Sequence, residues 1–240
     1  MDVYVGTSGY QYDFWRGGIY PEGTKKEDML EAYARHFRTV EVNNTFYRMP
    51  KREVVQRWAD ATPDDFRFVI KASKRITHQD PLTDADSLAY LFKVLEPLED
   101  KLGAVLFQLP PFLRKGVDRL EAFLELLPDG ASAVVEFRHP SWFCDEVYDV
   151  LRRGPAAMSL GDYEGKGGEA LEDGRMPTVA TAPWGCARLR DEGYDDEGLE
   201  RWARVLTQPW ERLFVFFKHE ETAPENAKAF ARILRTTPQN

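Results

Sequence analysis

The stretch Ala133–Phe143, AVVEFRHPSWF, opens like a buried strand and then delivers Glu136, Arg138 and His139 without an intervening turn. A carboxylate and a guanidinium two residues apart on a strand share one face. The same pattern recurs with Glu41 and Asn43 in TVEVNN and with Arg188 and Arg190 in CARLR. Lys71 closes FRFVIK, Gln108 is the penultimate residue of AVLFQL and Lys218 closes LFVFFK. Two glutamates among several cations suit proton transfer on a substrate whose negative charge the arginines clamp in bidentate fashion. A lysine crowded by positive charge has a lowered pKa and serves as a base or as an imine-forming amine. The expected catalytic residues are therefore Glu136, Glu41 and Lys71. The expected ligand-binding residues are Asn43, Gln108, Arg138, Arg188, Arg190 and Lys218, with Asp162, Arg75 and His78 on nearby loops.

These residues need elements that hold them together. Short apolar runs rich in β-branched residues begin near Val3, Thr39, Phe66, Ala104, Ala133, Ala156, Cys186 and Leu213. Between most of them lie helical stripes, such as Leu88, Leu91, Phe92 and Leu95, or Leu120, Phe123, Leu124 and Leu127. Others are Met29, Leu30, Tyr33 and Phe37; Leu199, Trp202, Val205 and Leu206; and Phe230, Ile233 and Leu234. Strand and helix alternate at the spacing of βαβ units, which predicts an α/β fold of the TIM-type (β/α)8 barrel over residues 1–240 as a single domain. The glycine-rich segment Asp162–Gly185 has no helical stripe, so the sixth crossover is expected to be mostly loop. A doubly wound sheet would carry a glycine-rich phosphate turn after an early strand, and GTSGYQYDFWRGG is not that fingerprint.

Strand parity then sorts the side chains. Val135 and Phe137 face the helices, while Val134, Glu136 and Arg138 point into the barrel. Every polar residue named above falls at the C-terminal end of its strand, the end where barrels of this kind build active sites. Charges there are either a self-satisfied ion-pair network or a ligand site. On the second reading Glu136→Gln spares stability and abolishes ligand handling. Trp15, Tyr10, Tyr12 and Trp142 are candidates for a stacking wall at the mouth, and His139, held before Pro140, has a structural role.

The motifs GTSGY, TVEVNNTFYRMP, FVIKASKRITH, GAVLFQLPPF and VVEFRHPSWF, in this order along the chain, resemble the YecE-like family, also called domain of unknown function 72. The resemblance implies a TIM-type barrel and recurrent polar positions at Glu41, Asn43, Lys71, Gln108, Glu136, Arg138 and Arg188. It implies no established activity. Where many relatives end strand seven in Arg-x-His-Gly, this chain has RLRDEGY, which places Arg190 and Asp191 at the third and fourth positions.

Composition limits the partners. With 32 Lys and Arg against 40 Asp and Glu the net charge is −8, which repels nucleic acid and anionic membranes over most of the surface. The expected partner is an anionic small molecule such as a sugar phosphate or carboxylate, handled by a hydrolase, lyase or isomerase without metal or cofactor. Three rivals stay open. Nucleic acid would need a basic groove of Lys74, Arg75, Arg188 and Arg190; a metal centre would draw on His78, His139, Glu41, Glu136 and Asp162; a non-catalytic binding module would use the same pocket. Two cysteines in no metal-type spacing, the lack of a basic and apolar leader, and the lack of a long apolar segment give the expectation of a cytoplasmic protein that does not enter a membrane.

Overall fold

The computed structural model describes residues 1–154, 156–162, 176–206 and 210–236. Eight parallel strands close into a barrel in sequence order. They are β1 (Asp2–Ser8), β2 (Thr39–Val42), β3 (Arg67–Lys71), β4 (Leu102–Gln108), β5 (Ala133–Glu136), β6 (Ala156–Gly161), β7 (Trp184–Leu189) and β8 (Arg212–Phe217). The expected strand starts agree to within two residues. β8 returns to pair with β1 from Asp2 to Thr7, so no edge is left open.

The helices among the described residues are α1 (Met29–Ala34), α2 (Arg52–Asp60), α3 (Ala85–Leu95), α4 (Val117–Glu125), α5 (Asp145–Arg153), α6 (Asp196–Val205) and α7 (Ala223–Thr236). Those foreseen from apolar stripes bury them: α3 covers the sheet with Leu88, Leu91 and Leu95, and α4 with Leu120, Phe123 and Leu124. α2 and α5, which are not among the stripes named above, also carry apolar residues three and four apart, and they bury Val55, Trp58 and Ala59, and Val147, Tyr148, Val150 and Leu151. Side-chain caps fix two starts. Asp84 accepts from the Ser87 amide ahead of α3, and Asp195 from the Gly198 amide ahead of α6. The sixth crossover lies largely outside the described residues; its described part, Met176–Pro183, contains no helix.

Two cores follow from the parity of the strands. The outer one, between sheet and helices, includes Val135 and Phe137 on β5 and just beyond it, with Val40, Ile70, Phe107 and Phe217. The inner one fills the barrel with Tyr4, Val69, Leu106, Val134, Cys186, Phe214 and Phe216 among others. One step toward the C-terminal end, the same inward rows stop being apolar. Glu41, Gln108, Glu136 and Arg188 replace them, all buried.

Candidate functional site at the barrel mouth

Arg188 is the hub. Projecting from β7 with no exposed surface, it places its guanidinium between two equally buried carboxylates. Its Nε donates to Glu41 Oε2 at 2.6 Å and its Nη2 to Glu41 Oε1 at 2.8 Å, a bidentate pair, while Nη1 donates to Glu136 Oε2. The close approach of β6 to this point depends on glycine. Gly161 pairs with Arg188 and has φ of +133°, and a Cβ there would stand 2.1 Å from the Arg188 carbonyl oxygen.

The Oε1 atom of each carboxylate takes further donors. Glu41 Oε1 accepts from Ser8 Oγ at 2.7 Å and Asn43 Nδ2 at 2.9 Å. Glu136 Oε1 accepts from Gln108 Nε2 at 2.7 Å, Arg190 Nη2 at 2.6 Å and Arg138 Nε at 3.1 Å. Burial by itself would raise both carboxyls. For Glu41 the Arg188 guanidinium, helped by Ser8 and Asn43, reverses that and brings it below the ordinary carboxylate range. Glu136, facing Arg188, Arg190 and Arg138, is held well below it. Both stay ionised with their lone pairs turned to cations and amides, and carboxylates held below the ordinary range are poor general bases. The proton transfer expected of Glu41 and Glu136 from their residue type is thus opposed by their surroundings, and their geometry suits them to anchoring the cations.

Lys71 is different. At the end of β3 its amine donates to Gln108 Oε1 at 2.8 Å and sits 4.4 Å from the centroid of the Phe46 ring. Burial, and then the charge of Arg188, push its pKa down from 10.5 to about 8. Among the described residues no carboxylate is within ion-pair reach of it, and Gln108 stands between Lys71 and Glu136 as a neutral relay. His78 packs edge-on against the other part of this corner, 5.0 Å from the Phe46 centroid, and burial, Lys71 and Arg138 lower its pKa. Arg138 is 19% exposed and so reaches the opening.

The structure therefore brings Glu41, Asn43, Lys71, Gln108, Glu136, Arg138, Arg188 and Arg190 into one network with His78 at its border. Lys218 is half-buried beside it and lines, with Arg190, His219 and Glu220, a cleft of about 340 Å³. Asp162 does not point to a ligand: it accepts from the Arg190 amide at 2.6 Å and from the Tyr194 hydroxyl, bracing the end of β7. Arg75 turns away to Asp84 at 2.7 Å, with most of its side chain in solvent. Arg188 and Arg190 are interior, with side-chain exposures of 0% and 2%, so the basic groove of Lys74, Arg75, Arg188 and Arg190 is not formed. Nor is the histidine and carboxylate set: among the described residues no three His, Cys, Asp or Glu side chains gather as metal ligands. His139 caps the turn after β5, its Nδ1 2.8 Å from Ser141 Oγ.

The expected stacking wall is also corrected. Tyr10, Trp15 and Trp142 are buried, Trp142 lying flat on Phe137 with its indole N–H donating to the Leu113 carbonyl. Tyr12 is half-buried and donates to the Ser8 carbonyl. Two contributors were not foreseen. Ser8 lies one residue past the strand run read from the sequence, on the parity of Tyr4, and Phe46 sits in NNTFYR directly after Asn43, where its ring roofs Lys71.

Comparison with known proteins agrees with this architecture. A family model described as "Protein of unknown function DUF72" matches residues 4–240. UPF0759 protein YecE of Escherichia coli (strain K12) is 39% identical over 156 residues, 63% of this chain and 54% of that protein, so the match spans about half the relative's length. UPF0759 protein YunF of Bacillus subtilis (strain 168) is 33% identical over 276 aligned residues, 97% of this chain and 94% of that protein. Among solved structures, the DUF72 family protein TM1631 from Thermotoga maritima MSB8 superposes with a TM-score of 0.81 at 27% identity, covering 98% of this chain and 100% of the other. No described helix is long and apolar enough to cross a membrane.

Proposed function

Starting from the premise that the chain belongs to the DUF72 family of proteins of unknown function, we propose that it is an enzyme acting on an anionic carbonyl compound at the barrel mouth, with Lys71 as the reactive amine. The observation that carries this reading is the Lys71 pKa of about 8 in a corner made by Phe46 and Gln108. At pH 7.5 about a quarter of such amines are neutral, against about one in a thousand for an ordinary lysine. The neutral amine attacks a carbonyl carbon, water leaves, and the resulting iminium withdraws electrons from the neighbouring C–H or C–C bond. That sequence needs no metal and fits lyase or isomerase chemistry.

Charge supports the anionic part. Glu41 and Glu136 are outnumbered by Arg138, Arg188 and Arg190 even before Lys71 is protonated. A carboxylate or phosphate entering beside Arg138 offsets that excess inside a site walled off from water. The glutamates hold the guanidiniums in place, and Gln108, bonded to both Lys71 and Glu136, fixes the amine's direction.

Two measurements test this. The pH dependence of Lys71 acylation by a neutral reagent, followed by peptide mass spectrometry, is expected to inflect near 8. Incubation with small keto acids and sugar phosphates under cyanoborohydride is expected to leave a reduced adduct on Lys71, absent from Lys71→Arg. An inflection at the ordinary lysine value together with no adduct from any probe overturns the reading.

A further inference from the structure

Tyr47 is 75% exposed, more than any other large apolar or aromatic side chain among the described residues, and it follows directly on Phe46. Its ring stands perpendicular to the Phe46 ring, with centroids 5.1 Å apart and planes at 88°, and most of the Tyr47 side chain stays in solvent. Phe46 in turn lies 4.4 Å from the Lys71 amine. The reactive nitrogen and the Tyr47 ring are thus within about 10 Å of each other, the reach of one small molecule that carries an anionic group and a flat ring.

The position is not isolated. The exposed aromatic rings among the described residues are Phe14, Tyr47, Tyr90 and Phe112; Phe14, Tyr47 and Phe112 lie in the connections that follow β1, β2 and β4 at the mouth, Phe14 within a single 3-10 turn, and Tyr90 lies on α3. Exposed rings gain nothing for folding by standing in water, and their gathering at the end with the cationic network marks a surface that meets another apolar, flat body. Rings on the rim with cations on the floor give a ligand two handles, one π face and one negative charge.

We propose that Tyr47 is a specificity-determining residue and that the ligand of the mouth is an anion bearing a planar ring, an aryl or heteroaryl phosphate or carboxylate, whose ring stacks on Tyr47 while its charge lies toward Lys71 and Arg138. This rests on the reading of the mouth as an anion site and narrows its substrate class.

The test is calorimetric titration of the full chain with methyl phosphate, phenyl phosphate and a nucleoside monophosphate. Phenyl phosphate and the nucleotide are expected to bind at least about tenfold more tightly than methyl phosphate. Tyr47→Ala, a surface change whose fold is checked by its melting curve, removes that ratio and leaves methyl phosphate binding as it was, while Tyr47→Phe keeps the ratio. If methyl phosphate binds but the ring-bearing ligands bind no better, or if Tyr47→Ala weakens all of them equally, the role of Tyr47 is overturned and the anion site stands. If none of the anions binds, the anion site itself fails and this inference falls with it.

Discussion

The two ends of the barrel hold their arginines in opposite ways. At the C-terminal mouth Arg188 and Arg190 are sealed from water and matched to Glu41 and Glu136. At the N-terminal end Arg38 lies 4.9 Å from the Tyr4 ring centroid, and Arg212 lies 5.6 Å and 5.4 Å from those of Trp184 and Phe214. There the aromatic layer of Tyr4, Trp184 and Phe214 stops the barrel, and the cations rest on it at the boundary with solvent. Stopping a barrel therefore does not require buried ions. A fully desolvated ion network is no better for stability than well-packed apolar residues of the same volume, so its presence at the mouth alone calls for a reason other than folding. The proposed chemistry of Lys71 supplies one: burial first, and then the Arg188 charge that the network holds in place, depress the lysine against the opposing pull of Glu41 and Glu136.

The largest expected effect comes from removing the hub. Arg188→Met leaves Glu41 buried without a cation and Glu136 with only Arg190 and Arg138, and is expected to cost at least about 3 kcal/mol in denaturant unfolding, whereas adding Glu41→Gln to it recovers much of that loss. The expectation from strand parity alone, that Glu136→Gln spares stability, is reversed by the geometry: four donors converge on a carboxylate with no exposed surface, and removing its charge leaves Arg188 and Arg190 short of a partner. pH gives a second view. Both carboxyls are depressed in the folded state, so their contribution is complete above the ordinary carboxylate range and is lost as pH falls through the lower folded values. Stability of the wild type is expected to fall more steeply there than that of the Arg188→Met/Glu41→Gln variant, which has lost the Glu41 contribution. Equal acid limbs would remove the network's claim to differ from the other end.

Next is the backbone beneath the hub. Gly161→Ala forces a Cβ toward the Arg188 carbonyl at 2.1 Å from a left-handed φ, and an expected loss of about 2–3 kcal/mol would show that the strand cannot retreat. A loss under about 1 kcal/mol means β6 and β7 separate easily and the hub is not rigidly held.

Lys71 should respond with the opposite sign. Its pKa is depressed, so between about 8 and 10.5 the folded state binds fewer protons than the unfolded chain and stability rises with pH. Below that window the buried charge is a standing cost. Lys71→Met is expected to stabilise by about 1–2 kcal/mol at pH 7, a gain that shrinks to nothing by pH 10.5, as read from melting curves across pH. A destabilised Lys71→Met at neutral pH would place Lys71 in the scaffold and not in the chemistry.

How much of this was legible in the chain depends on the kind of signal. Period-two alternation in AVVEF and its counterparts specifies which side chains enter the barrel, and Glu41, Lys71, Gln108, Glu136 and Arg188 all lie where parity puts them. Parity does not reveal partners. That Glu136 is saturated by four donors, that Gln108 separates Lys71 from it, and that Asp162 serves the loop of Tyr194 are facts of distance between strands far apart in sequence. Loop residues were the least legible, because no period applies to them. Arg75 looked like an anion ligand by adjacency to Lys71 and is drawn off by Asp84; Phe46 carries no signal in the sequence and lies over the Lys71 amine.

The smallest expected effect lies at the N-terminal end and completes the comparison. Arg212 has a buried Nε without a hydrogen-bond partner, and burial, ahead of the neighbouring Arg67 charge, lowers its pKa. Replacing it by leucine removes an unsatisfied donor, worth about 1–3 kcal/mol if fully desolvated, and forfeits cation–π attraction of about 0.5–1 kcal/mol. The leucine still covers Trp184 and Phe214, as the arginine stem does. Because Arg212 is only half-buried, water relieves part of the donor's penalty, and the two changes nearly cancel. Arg212→Leu is therefore expected to shift the unfolding free energy by less than about 1 kcal/mol in either direction. It should also leave anion binding at the mouth as it was, since the whole length of the barrel separates Arg212, at the start of β8, from Lys71 at the end of β3. A loss above about 2 kcal/mol would mean that the aromatic end depends on its cations as much as the mouth does, and the contrast between the two ends would then be one of chemistry and not of energetics.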